Sequence, residues 1–144
     1  MSRLLWINAF ICEKVLFEQD QVLSAIRIVE IFSVPINPEV SLEKQGVLMM
    51  VLASGRVPME DDSEHILELV LIRPDGQTTP IGEPIRTAYP LSNPSFPRGF
   101  NIAVQVGVKP TQMGLHHIAV SFDGEEVRRI PFILQPATMP VPKP

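Results

Sequence analysis

Fifteen prolines punctuate this chain of 144 residues, and they restrict its fold more than any other feature. Pro35, Pro38, Pro58, Pro74, Pro80, Pro84, Pro90, Pro94, Pro97 and Pro110 all sit between apolar runs. Proline fixes φ and removes a backbone donor, which confines it in a sheet protein to turns, edges and strand starts. The runs between are short and rich in Val, Ile, Leu and Phe. Short β-prone runs at fairly even spacing, with turn residues between, predict an all-β chain: an antiparallel β-sandwich of about seven to nine strands.

The clearest strand is FNIAVQVGV, residues 100–108. Phe100, Ile102, Val104, Val106 and Val108 point one way; Asn101, Ala103, Gln105 and Gly107 point the other. Strict period two is the mark of a half-buried strand. GLHHIAVSF puts His116, Ile118, Val120 and Phe122 on one face. VLSAIRIVEIFSV (22–34), GVLMMVLAS (46–54) and HILELVLIRPDG (65–76) supply more, the last closing on a Pro-Asp-Gly turn. QTTPIGEPI reads as a short edge strand, because Pro80 and Pro84 cannot donate to a ladder. The opening apolar run, Leu4 to Cys12, is read as a strand. Only the acidic stretch Met59 to His65 suits a helical turn. Residues 1–135 form one domain in this reading. Residues 136–144, PATMPVPKP, form a flexible polyproline-like tail, which also resembles ligands of proline-binding modules.

AVSFDGEEVRRIPF, residues 119–132, poses a choice. Asp123, Glu125 and Glu126 invite a metal site, whereas Asp-Gly between alternating apolar residues invites a tight hairpin. A two-residue turn needs positive φ at both positions, which Asp-Gly accepts. Phe122 then faces Glu125 and Val120 faces Val127. The apolar set changes parity by Ile130, Phe132 and Leu134, so a bulge near Arg128–Arg129 is required. The hairpin reading prevails and leaves the acids solvated at its tip.

GLHHIAVSFDGEEVRRIPFIL resembles the last hairpin of immunoglobulin-like bacterial domains, where an alternating strand meets an Asp-Gly turn and a proline-bearing return strand. That resemblance implies an immunoglobulin-like sandwich. NAFICEKV and DQVLSAIRIVEIF resemble a group of short bacterial proteins of unknown function, which implies no activity. The chain departs from antibody-type domains in lacking their cysteine pair.

Charge and composition narrow the function. The formal net charge is −4 and the basic residues are scattered, so no field draws nucleic acid or anionic lipid. One cysteine, Cys12, suits a reducing compartment, and the cytoplasm is expected. The apolar start falls far short of the roughly 20 residues a spanning helix needs and lacks a small-residue cleavage site. His116 and His117 point to opposite faces of a strand and His65 lies elsewhere, so no zinc spacing emerges. Glu60, Asp61, Asp62 and Glu64 form a possible weak cation loop, but without the ordered ligand spacing of a calcium loop. Cys12 fits a small buried hydrophobe, and Ser92 and Ser95 lack a nucleophile elbow. No enzyme activity, cofactor or metal is expected.

What remains is a non-catalytic protein-interaction or assembly module. The alternative is a small-ligand or carbohydrate-binding sandwich using its end loops, with Tyr89 and Phe96 as the evident loop aromatics. Strands apolar on both faces favour the module: Val47, Leu48, Met49, Met50 and Leu52 form a possible interaction surface, and a homodimer is expected.

Overall fold

A computed structural model describes residues 4–17, 23–34, 46–61, 63–87, 98–109 and 111–137. Ten strands occupy them, more than the seven to nine expected: β1 (Trp6–Phe17), β2 (Leu23–Ile28), β3 (Ile31–Val34), β4 (Val47–Val57), β5 (Ile66–Ile72), β6 (Thr78–Pro80), β7 (Ile85–Arg86), β8 (Arg98–Val108), β9 (Gly114–Phe122) and β10 (Glu125–Pro136). No helix occurs among the described residues. The acidic stretch expected to make a helical turn forms a single hydrogen-bonded turn at Met59 and Glu60, the Asp61 amide donating to Pro58 O at 3.0 Å.

The strands form two sheets. One has the order β2-β1-β4-β8; the other has β3-β10-β9-β5-β6, with β7 also paired to β5. Every pairing is antiparallel except β3 with β10. Their inner faces share one core. Ile7, Ile11, Met49, Val51, Phe100 and Val106 face it from the first sheet; Leu67, Leu69, Ile118, Val120, Phe122 and Phe132 face it from the second. Each such side chain contributes roughly 1.5–3 kcal/mol by leaving water. Phe100 and Phe122 stack across the layers, centroids 5.8 Å apart. Opposite Phe100 lies Gly55, where a Cβ would collide with the phenyl ring, so the residue's bareness makes room for that stack.

The run 22–34 is not one strand. It is cut at Val29 and Glu30, and its halves join different sheets. The Val29 amide donates to Ile11 O at 3.0 Å in the first sheet, while Glu30 O accepts from Ile133 N at 2.8 Å in the second. A crossover without Gly or Pro left no punctuation in the sequence.

The 119–132 hairpin forms as expected. Asp123 has φ 51° and Gly124 φ 83°, and Phe122 faces Glu125. The register shifts between Glu126 and Arg128, so Val127 is the extra residue and Val120 faces Arg128 instead of Val127. After the shift Phe132 and Leu134 are buried. Arg128 Nε donates to Ile7 O at 3.0 Å, tying the bulged strand to the other sheet. β10 runs through Pro136, the first residue of the expected tail, and Ala137 N donates to Val34 O at 2.8 Å. Residues 138–144 lie outside the described residues.

Candidate functional site

The hairpin tip and the acidic loop meet at one histidine. β5 pairs with β9 in the register Leu67↔Phe122, which carries residue 65 to the level of the Asp123-Gly124 turn. His65 Nε2 is hydrogen-bonded to Asp61 Oδ2 at 2.8 Å and Nδ1 to Asp123 Oδ2 at 2.5 Å. The imidazole lies on Phe122, centroids 4.8 Å apart and planes 26° from parallel, at the end of the Phe122–Phe100 stack. Thr87 closes the other side: its amide donates to His65 O at 2.9 Å, and its hydroxyl is 3.1 Å from the same oxygen. Asp61 Oδ1 accepts from Ser63 N and Asp123 Oδ1 from Ile66 N, both at 2.9 Å.

An ionised carboxylate only accepts, so two such partners favour the form in which both ring nitrogens carry hydrogen, the imidazolium. Burial by itself would lower its pKa. The hydrogen bonds and charges of Asp123 and Asp61 outweigh burial and raise it above the ordinary 6.5. Burial likewise favours a neutral Asp61, but the Ser63 amide and His65 hold that carboxyl below its ordinary 3.8. A cation stacked on an aromatic face gains further. In the imidazolium form both nitrogens are occupied as donors to the two carboxylates. The cluster is chemically a clamp, fastening the 58–65 loop to the hairpin.

The other candidates separate. His116 is buried against Phe132, centroids 5.2 Å apart, and its Nδ1 donates to Gly114 O at 2.9 Å; His117 points to the opposite face. Glu60 is exposed, Glu64 pairs with Arg86 at 3.2 Å and Asp61 is turned inward, so these three do not converge; Asp62 lies outside the described residues. Among the described residues no group of three His, Cys, Asp or Glu is placed to hold a metal ion. Cys12 is fully buried, and burial raises its thiol pKa. Tyr89, Ser92, Ser95 and Phe96 also lie outside the described residues. The link between His65 and Asp123 was missed, because residues 58 apart in sequence meet only through strand register.

The outer faces are the second feature. β4 divides its apolar residues: Val47 and Met49 turn to the core, whereas Leu48, Met50 and Leu52 turn outward. Leu48 is 67% exposed, Met50 is half-buried and Leu52 is buried. On the other sheet, Ile31, Ile133 and Leu115 stand in one cross-strand row, 50%, 39% and 49% exposed. Pro131, His117 and Ile72 form the adjoining row.

A family model described as a family of unknown function, DUF6941, matches residues 8–135. The chain belongs to that family. The matched segment takes in Asp61, His65 and Asp123 and both outer rows, so clamp and faces lie within the DUF6941 region. No curated protein matches the chain. No helix among the described residues is long and apolar enough to cross a membrane.

Proposed function

We propose that this DUF6941 chain is a non-catalytic interaction or assembly module, an immunoglobulin-like bacterial domain working in the cytoplasm. The observation that carries the reading is the row Ile31–Ile133–Leu115. Three neighbouring strands present large aliphatic side chains to solvent in register. Single exposed aliphatics are ordinary, but a row of them continued by Pro131, His117 and Ile72 is the form of a protein contact surface. Glu68, Ser121, Glu126 and Arg129 lie beyond it and give the patch a polar rim.

The ligand-binding alternative draws less support. Two clefts flank Pro80–Gly82, about 260 and 340 Å³ in volume. No aromatic side chain is among the described residues lining either, whereas a sugar site relies on aromatic platforms. The test is affinity purification of the full chain against Leu115→Glu and Ile133→Glu. A stoichiometric partner held by the native chain and by Lys14→Ala, an exposed position on the other sheet, and lost in both charge variants, supports the reading. Retention by all of them refutes it.

A further inference from the structure

Among the described residues, β2 and β8 end one sheet, and β3 and β6 end the path of the other. Three of these edges are short: β2 has 6 residues, β3 has 4 and β6 has 3, the last closing on Pro80. Short, proline-bearing edges discourage pairing with a second chain. β8 has 11 residues. It pairs with β4 without a bulge from Arg98 to Val108, and no charge or proline lies between Gly99 and Val108. Its outer row of amides and carbonyls is a template on which another extended strand can pair.

Two observations identify that strand. The first is that β8 is palindromic in character about Ala103. Counting outward from it, Ile102 matches Val104, Asn101 matches Gln105, Phe100 matches Val106 and Gly99 matches Gly107. Antiparallel pairing of two such strands sets apolar against apolar, amide against amide and glycine against glycine. An isologous two-fold contact requires this kind of self-complementarity. The second is burial along the core-facing row. Phe100, Val106 and Val108 are buried, but Ile102 and Val104, flanking the palindrome's centre, are only half-buried. The row is thus uncovered at the point where a symmetric partner would lay its own Ile102 and Val104. The 340 Å³ cleft between Pro80–Gly82 and Gln105–Lys109 leaves space along the second half of the edge.

We propose that β8 pairs antiparallel with β8 of a second copy, on a two-fold axis at Ala103, joining the two four-stranded sheets into one. This deepens the assembly reading and rests on it, but it uses a sheet edge instead of the outer faces. The experiment uses the full chain: light scattering after size exclusion, followed by oxidative cross-linking. A mass near twice 16.1 kDa is expected. Ala103→Cys should then cross-link to itself, since directly opposed side chains lie within disulfide reach. Asn101→Cys and Gln105→Cys, both at exposed positions, should cross-link at least tenfold faster when mixed than when each is alone. Val104→Lys, an edge lysine pointing toward the core, should shift the mass toward the monomer. A mass of 16.1 kDa up to about 100 μM overturns the edge dimer, yet leaves standing a partner held through Leu115 and Ile133. A dimer whose mixed thiols show no advantage, and which Leu115→Glu dissolves, also overturns edge pairing while the assembly reading survives.

Discussion

His65, just before β5, and His116, in β9, occupy matching surroundings at two places along neighbouring chain segments. Each is buried, at 4% and 1% exposure, and each stacks on a phenylalanine, Phe122 or Phe132. Their protonation nevertheless diverges. Two carboxylates face the nitrogens of His65 and raise its pKa. At His116 burial dominates and lowers the pKa; the charges of Arg73 and His117 act in the same direction, and the Gly114 carbonyl opposes them only in part. Burial alone therefore does not decide the charge of a histidine. The partners at its ring nitrogens decide it.

The largest test of that contrast is Asp61→Ala. It leaves a buried imidazolium with one of its two anions, and about 3 kcal/mol should be lost in urea unfolding near pH 6. Asp123→Ala should cost less, since that carboxylate is 39% exposed and water can replace it. Equal losses would show that burial of the anion is irrelevant. Next in size is Gly124→Val, which forces a β-branched residue into φ 83° beside Asp123 and should cost about 1–2 kcal/mol. An unchanged urea midpoint would remove the turn from the clamp's support.

The pH dependence should divide between the two rings. The His65 contribution is fully present below pH 6.5 and is lost as pH rises through its raised pKa. The His116 contribution runs the other way, present above pH 6.5 and lost as pH falls through its lowered pKa. At more acid pH, the Asp61 contribution fades from 3.8 downward. Histidine proton shifts followed by NMR should place the two midpoints on opposite sides of 6.5. Both on one side would break the comparison. The smallest effect is expected for His116→Phe, within about 1 kcal/mol because a neutral aromatic replaces a neutral aromatic. The same change at His65 strands two carboxylates and should cost more. Chevron or equilibrium unfolding data giving equal costs would mean that neither ring is charged.

Legibility followed the range of each interaction. In the hairpin, Asp123-Gly124 and the parity switch before Ile130 were enough to expect both the turn and a bulge, and the structure places the extra residue at Val127. The 22–34 run misled, because its two halves carry the same β-branched pattern while lying in different sheets. Asp123 misled in another way. Read as a solvated tip, it is bound to His65 and to both backbone groups of Ile66.

From sequence alone came the all-β class, the period-two strands, the positive-φ turn and the two-sided apolar character of β4. These depend on backbone preference and on neighbours a few residues away, which the chain order displays directly. Only the tertiary structure decided which face of β4 is core, where the chain changes sheets and why the pKa of His65 is raised. Each of those depends on strand register between distant segments, and a shift of one residue would have turned Met49 outward and carried Asp123 away from the imidazole.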